Sequence, residues 1–575
     1  MSRERGDRTA LLVFGILTVG VVVVGIGAHH LTTLGLNYDE VIQAEPAQEF
    51  LEGEAEPLRL PGMSFTRIFG RPFPVMTQAY MGALKSQLLI PVFALFEPGA
   101  ATLRMTTLLW ALLGVLFAIL WVKRLLGLPP ALLAGALVAL DPSFLFAARH
   151  DWGSSALGFL GRTSGLCFIT AGWLDGRRWK LALGGLCLGL GTTNKVDFLI
   201  FVAAAALAFF LSSPRQTLAA LRSRRAFLTA GLIGFLIGAG PMIVQLAEVL
   251  TTAQSLFRGE GGAGEPWTDR WLAILTTLDG SNFHRLLLCG GNFRVLFATG
   301  GAAASYFPLL AAGSTLALGW QCLRRPRQGQ RSRSFILLTM LLTLAFLLAT
   351  PRATRIHHAL NLYPFPHLVV ALVAVALFRW HRRRGPCEQR NRDKGLASMC
   401  RWSCRLLASA LVALVLLGNI HVIARTQATI AETRGKGRWS DALDCLAREL
   451  ASKPDAIVVS LDWGFHLPLL FQTEGIRLHE STWQLAAASS RPGGWSLDAS
   501  PRHLYLLWKE PYAVFPYGRS FLRAVGRLPP GTAQIREHLD GAGEVAFLSV
   551  SLTHPHRLVY TSGVQGGNFQ IRIHR

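Results

Sequence analysis

Charge is scarce in this sequence. Only 16% of the 575 residues are charged, and the acidic kind is the rarer, with 34 Asp and Glu against 57 Lys and Arg. A soluble chain of this length carries closer to a quarter charged residues, so the composition excludes an ordinary soluble enzyme and points to a polytopic membrane protein. The net charge of +23 does not argue for nucleic acid, because the Lys and Arg sit in short clusters between apolar stretches, the pattern that orients a chain in a membrane. The eight cysteines form no paired framework, which excludes a disulfide scaffold. Cys400 and Cys404 have zinc-like spacing, but no second pair follows them. Internal repeats and long low-complexity segments are also missing. The N-terminal Met1-Ser2-Arg3-Glu4-Arg5-Gly6-Asp7-Arg8 leads into an apolar run that is too long for a signal-peptide core and lacks a small-x-small cleavage site. A retained first span is expected.

What the chain has in quantity is apolar length. A span needs about 20 apolar residues, and eleven stretches qualify as candidates: 9–30, 102–122, 130–147, 155–173, 181–193, 198–211, 227–246, 300–320, 335–349, 360–378 and 406–422. With the N-terminus in the cytoplasm, every loop that falls on that side is basic: 123–124, 177–180, 215–225, 324–333 and 379–405, the last with nine Lys or Arg. The first opposite loop, 31–103, holds eight acidic and four basic residues. This asymmetry fits the positive-inside rule and places the C-terminus outside. The apolar stretch 76–96 contains Lys85 and Gln87, and counting it as a span would invert every later loop. It is expected to be an amphipathic helix in the outer interface. Beyond residue 423 the spans stop. Short strand-like runs at 456–461, 503–508, 544–552 and 569–573, separated by turn formers such as Pro492-Gly493-Gly494 and Pro529-Pro530-Gly531, predict a small α/β domain over 424–575 on the extracytoplasmic side. Residues 1–423 form the transmembrane domain.

This topology collects four polar sets on the outer face. The first is Asp39-Glu40, in Asn37-Tyr38-Asp39-Glu40 directly after the first span. The second is Arg149-His150-Asp151-Trp152. The third is Arg104 at the outer end of the second span, with Lys85 before it. The fourth runs Arg352-Ala353-Thr354-Arg355-Ile356-His357-His358 and on through Asn361-Leu362-Tyr363-Pro364-Phe365-Pro366-His367. Ionisable residues at membrane depth are costly and need a reason. A carboxylate beside a basic group suits a general base, and Arg, Lys and His near the interface suit a phosphate. Together they suggest a lipid-linked phosphate donor whose lipid phosphate is displaced by an acceptor nucleophile. Blander roles are open for the same residues. Asp151 suits a helix N-cap, Arg104 a snorkelling side chain, and Lys195-Val196-Asp197 a self-satisfied pair. Asp462-Trp463-Gly464 repeats Asp151-Trp152-Gly153, a recurrence expected by chance.

Tyr38-Asp39-Glu40 after the first span resembles the first-loop acidic motif of the GT-C integral-membrane glycosyltransferases, which include the protein O-mannosyltransferases and the lipid A aminoarabinose transferase. Gln78-Ala79-Tyr80-Met81-Gly82-Ala83-Leu84-Lys85, Arg104 and Arg149-His150-Asp151 follow in matching order. Where many relatives carry His-Pro-Pro, this chain reads Arg71-Pro72-Phe73-Pro74. The resemblance implies a GT-C-like helical fold and an inverting transfer of a hexosyl or pentosyl group. The donor would be a polyprenyl-phosphate sugar, used at the outer face of the inner membrane. Asp39 is then expected as the catalytic base, with Glu40 or Asp151 orienting the acceptor. Lys85, Arg104, Arg149 and His150 would hold the lipid phosphate, and His357, His358 and Tyr363 the donor head. The acceptor is open among glycan, lipid and protein. No cofactor is expected, although Asp39, His150 and Asp151 would together suit a divalent metal such as Mn or Zn. A transporter of lipid-linked sugars is the rival reading. Transporters commonly show repeated halves with interrupted helices, and no such repeat is present.

Overall fold

The computed structural model of the chain describes residues 2–53, 62–151, 153–247, 250–251, 266–324, 330–350, 355–379, 394–473, 476–488, 495–562 and 569–574. Trp152, Arg352, Ala353, Thr354, Cys387 and the turn Pro492-Gly493-Gly494 lie outside the described residues.

Every one of the eleven apolar stretches is helical over most of its length. Five helices are long and apolar enough to cross a membrane: Thr9–Gly27, Ala100–Leu126, Arg331–Ala349, Ile356–Arg379 and Trp402–Thr433. The pair Leu128–Ala139 and Pro142–His150, bent by 61°, makes a sixth if it is one crossing. The chain is a multi-pass membrane protein. The bend has a local cause. Asp141 caps the second helix of the pair, accepting from the Phe144 amide at 2.8 Å, and Pro142 follows at its first turn. An Asx cap with proline at the start of a helix begins a new one rather than continuing the old.

Helices Arg178–Asn194 and Arg225–Gly238 pack backbone to backbone. A side chain at Gly185 would strike the Gly231 carbonyl, and one at Gly234 the Ala182 carbonyl. Small residues that let backbones approach are a usual membrane interface. This pair holds the end of the first helix at Asn194-Lys195, where the candidate site lies.

The reading of 76–96 as one interfacial helix is corrected. Residues 71–82 form strands β2 (Arg71–Gln78) and β3 (Met81–Gly82), which join β1 (Ser64–Ile68) in an antiparallel sheet, and the helix begins at Leu84 and ends at Leu95. Pro72 and Pro74 favour extended backbone, and the strand they start runs on into the apolar stretch as far as Gln78. The boundary at residue 424 likewise falls inside one continuous helix, Lys394–Thr433, so the C-terminal domain begins after Thr433.

That domain contains all four expected strands. Its main sheet runs β5-β4-β7-β9-β8 (Arg477–Glu480, Ile457–Ser460, His503–Trp508, Val545–Leu552, Ala533–Leu539), with β5, β4 and β7 parallel and the rest antiparallel. The chain passes from β4 to one neighbour, β5, and then to the other, β7. The carboxyl ends of β4 and β7 therefore form a topological switch point, where ligands of open α/β sheets usually bind. Those ends face the first loop of the membrane domain. The Gly35 amide donates to the Trp439 carbonyl at 3.0 Å, and the Tyr38 and Trp463 rings lie 4.8 Å apart. The first loop and the outer domain thus meet at one end of the bundle. Arg124, Asp175 and Lys180 pair with one another at its other end.

Gly185→Val and Gly234→Val are each expected to lower the thermal midpoint of the purified protein or to prevent its folding. Gly25→Val, where a side chain meets nothing within 4 Å, should leave the midpoint unchanged. Thermal unfolding in detergent checks both outcomes.

Candidate active site

The segment after the first helix is a single helical turn, Tyr38–Val41, capped by Asn37, whose side chain accepts from the Asp39 amide at 3.0 Å. Consecutive residues on a helix point about 100° apart. The acidic pair therefore cannot act as a unit, and the structure separates it. Glu40 turns into the protein and Asp39 turns out to a cleft.

Glu40 is fully buried and paired with Arg104, with Nε–Oε2 at 2.9 Å and Nη2–Oε1 at 3.2 Å. The rest of the guanidinium donates to the carbonyls of Leu31 (2.9 Å), Leu34 (2.8 Å) and Gly35 (2.8 Å). All five N–H groups of Arg104 are thereby committed. This corrects the expectation that Arg104 holds the lipid phosphate, since no donor is left for it, and it removes Glu40 from the acceptor's reach. His150 Nδ1 lies 3.2 Å from Glu40, and Arg149 Nε lies 3.1 Å from His150 Nε2. An arginine N–H can only donate, so Nε2 accepts and Nδ1 carries the proton to Glu40. His150 is a neutral strut and is not a phosphate ligand. Arg149 also donates to the His29 carbonyl at 2.7 Å, and only its Nη2 lacks a partner.

Lys85 and Asp151 make a second buried pair, Nζ–Oδ2 3.1 Å. The other oxygen of Asp151 accepts from the Ala156 amide (2.8 Å) and the Ser155 hydroxyl (3.2 Å), holding the start of helix Ser155–Asp175. Asp151 thus serves as a cap through Oδ1, a role compatible with a place in the site. Tyr363 is a further correction. It is fully buried and donates to Asp141 (3.2 Å), which also meets His367 Nε2 at 3.0 Å, so it belongs to the bend of the Leu128–His150 pair and not to a donor pocket. Among the described residues no three His, Cys, Asp or Glu side chains are grouped to hold a metal. Asp39, His150 and Asp151 each face different partners.

Two charged groups stand apart because hydrogen-bonding capacity is left over on each, although Lys195 keeps a long ion pair with Asp197. The Asp39 carboxylate takes no hydrogen bond from any described residue; only its backbone is bonded. Burial pushes it above the ordinary carboxylate value, and the charges of Lys195, Arg438 and Arg355 pull the other way. Lys195 is buried at the end of helix Arg178–Asn194, with Asp197 at 3.8 Å, beyond hydrogen-bond distance. Burial lowers its value, opposed by Asp197, Asp39 and Asp151. Asp197 is instead held by His358 Nδ1 at 2.7 Å, and His358 lies 3.2 Å from His357.

Each of these groups lines a cleft. Asp39 opens on one of about 230 Å³, walled by Asn37, Gly291, Phe293, Arg438, Trp439 and Trp463. Lys195 opens on one of about 280 Å³ within the bundle, with Arg162, Asn194, His357 and Asn361. In this second cleft Arg162 Nε, Asn194 Oδ1 and His357 Nδ1 are buried and lack partners. Buried polar atoms are normally satisfied, so such a concentration marks a place for a polar ligand. Arg162, a charge inside an apolar stretch, was visible as an anomaly in the sequence. Arg438 and Asn194 carried no such signal.

A family model described as dolichyl-phosphate-mannose-protein mannosyltransferase matches residues 87–243. No curated protein matches the sequence. Among solved structures, the chain is similar to ArnT from Cupriavidus metallidurans bound to undecaprenyl phosphate, with a TM-score of 0.54 at 14% identity over 94% of this chain and 98% of that one. The apo form of the same protein gives a TM-score of 0.54 at 14% identity, over 95% and 98%. An Archaeoglobus fulgidus oligosaccharyltransferase tethered to an acceptor peptide gives 0.47 at 13% identity, over 82% and 64%. The chain has the fold of the GT-C integral-membrane glycosyltransferases.

Replacing Glu40 with Gln leaves the Arg104 charge buried and uncompensated. Removal of one partner of a buried pair costs about 3–5 kcal/mol. Glu40→Gln should therefore lower the thermal midpoint strongly, while Asp39→Asn, which breaks no hydrogen bond of its side chain, should keep the wild-type midpoint.

Proposed function

We propose that the chain is a glycosyltransferase that moves a sugar from a polyprenyl-phosphate donor to an acceptor hydroxyl or amine at the outer face of the cytoplasmic membrane. The observation that carries this reading is the placement of Asp39 and Lys195. Asp39 has a carboxylate with no side-chain hydrogen bond among the described residues, and Lys195 an ammonium held by a long ion pair with Asp197; the two are close enough for each to shift the other's protonation, and each opens on its own polar cleft. The fold supports it too, since ArnT of C. metallidurans, which shares it, has been crystallised with a polyprenyl phosphate.

Asp39 is the general base. It takes the proton of the acceptor group, whose lone pair attacks the anomeric carbon of the donor sugar. The bond from that carbon to the phosphate oxygen breaks, and the electron pair leaves with the polyprenyl phosphate. Lys195 faces the phosphate and balances the charge that grows on it. The sugar head occupies the inner cleft, where His357 Nδ1, Asn194 Oδ1 and Arg162 Nε supply unused hydrogen-bonding capacity. His358 orients this wall through Asp197. A single displacement of this kind inverts the anomeric configuration. Arg149 Nη2 is the one other unpaired donor near the Glu40 cluster and is the remaining phosphate contact from the second set.

The test is a panel of radiolabelled polyprenyl-phosphate sugars supplied to the protein in nanodiscs. One donor should be consumed by wild type, and Asp39→Asn should lose at least about 100-fold in rate, the lower range for a missing general base. Full activity in Asp39→Asn would remove the base assignment. Movement of the labelled lipid across the bilayer with no covalent product would establish a transporter instead.

A pH dependence follows from the direction of the Asp39 shift. A base works only when deprotonated, and burial has raised its protonation range above that of an ordinary carboxylate. The acid limb of the rate profile should therefore lie at higher pH than an ordinary carboxylate would give. Arg438→Gln removes a cation that favours the carboxylate form, so the limb should move to still higher pH. A shift to lower pH would contradict this placement of the two charges.

A further inference from the structure

The main sheet of the C-terminal domain carries a recess at the end opposite to the first loop. It is a trough of about 640 Å³ beside the amino ends of β4 and β7, within the range of about 300–1,000 Å³ that ligand sites occupy. Its origin is written along β9. Side chains alternate between the two faces of a strand, so Val550 and Leu552 point to one face and Phe547, Ser549 and Ser551 to the other. Across this second face the register sets three rows: Trp508-Phe547-His538, Leu506-Ser549-Arg536 and Leu504-Ser551-Gln534. The first row is a ring stack, with His538 lying 4.3 Å from Phe547. Helix Ala442–Leu450 covers the apolar part of the face, packing Leu443, Leu446 and Leu450 with Leu506, Trp508 and Phe547. On β9 and β8 the next two rows turn polar, and they form the floor of the trough.

The walls are charged. Glu449 is spent, because its two oxygens accept from Lys453 at 2.7 Å and from Arg536 at 2.6 Å. Both cations keep further N–H groups, since an ammonium has three and a guanidinium five. The Arg502 side chain, at the amino end of β7, makes no hydrogen bond or ion pair with any described residue. Three cations thus face two carboxylates, Glu449 and Asp455, and the surplus is in donors.

We propose that this trough binds a saccharide carrying carboxylate groups, a role separate from sugar transfer at Asp39 and independent of it. Neutral sugars favour aromatic faces, and no Phe, Tyr or Trp lines the trough. The floor is the face of the sheet and not its edge, so an extended peptide finds no strand to join there. What remains is chemistry for hydroxyls and carboxylates. The Ser551 hydroxyl and the Gln534 amide both donate and accept, and the free N–H groups of Arg502, Arg536 and Lys453 suit an anionic oxygen pair.

The experiment is isothermal titration calorimetry on the full chain in nanodiscs of zwitterionic lipid, which adds no net charge. The probes are trigalacturonate, neutral cellotriose and a hexaglutamate peptide. Trigalacturonate should bind, and cellotriose should bind at least about tenfold more weakly, for want of charge-assisted hydrogen bonds. Arg502→Gln should weaken trigalacturonate about tenfold, the loss of one hydrogen bond to a charged group. Arg477→Gln removes an exposed cation on β5, outside the trough, and should leave binding unchanged. The thermal midpoint of each variant checks that the domain is folded. Equal losses in the two variants would reduce the effect to net charge and overturn the proposal. Cellotriose or hexaglutamate binding as tightly as the uronate would overturn it as well, and so would the absence of trigalacturonate binding.

Discussion

The buried pair between Glu40 and Arg104 holds one end of the helical bundle together. Two opposite charges out of water are expensive unless every hydrogen-bonding position is used, and here it is. Arg104 binds both oxygens of Glu40 and three carbonyls of the first loop, those of Leu31, Leu34 and Gly35, and His150 approaches Glu40 from another side. The first loop is fixed to the second span through one guanidinium. That fixation orients the helical turn at residues 38–41, and the turn's geometry then forces Asp39 to look away from Glu40 into the cleft. The same loop is the seat on which the outer domain rests, through Gly35 and Tyr38.

A second principle separates structure from chemistry among the many charges at this face. Groups whose capacity is spent are structural: Arg104, Glu40, His150, and Tyr363 with Asp141. Groups left incomplete are candidates for ligands. Asp39, Lys195, Arg438, His357 and Asn194 all retain unused positions and all line the two clefts. Keeping an unsatisfied polar group away from water costs free energy, and a substrate that satisfies it recovers that cost on binding.

Much of the architecture was legible in the sequence because it follows from long, strong signals. Apolar runs mark the helices, short strand-like runs mark β4, β7, β9 and the strand Phe569–His574, and Asp141-Pro142 is a readable break in hindsight. The site was legible only in part. The acidic pair was found, but its division needs the helical turn at residues 38–41. Arg104 was flagged as a costly charge, yet its partners are loop carbonyls some 70 residues away, which no local pattern shows. Tyr363 finds Asp141 at a separation of 222 residues. Lys195 and Asp197 do form the ion pair their spacing suggests, at 3.8 Å, but His358 shares the same carboxylate oxygen from 161 residues away, which no local pattern shows. The triplet Asp462-Trp463-Gly464 was set aside as coincidence, and the fold brings it to the wall of the Asp39 cleft.

The measurement that tests this account most directly is a cryo-EM structure of the protein with a polyprenyl phosphonate sugar, in which a carbon replaces the scissile oxygen. The account predicts the phosphonate within hydrogen-bond distance of Lys195 Nζ, the sugar ring in the inner cleft beside His357, and its anomeric carbon turned toward Asp39. A phosphonate bound at Arg104, or a sugar placed where Asp39 cannot reach its anomeric carbon, would contradict it.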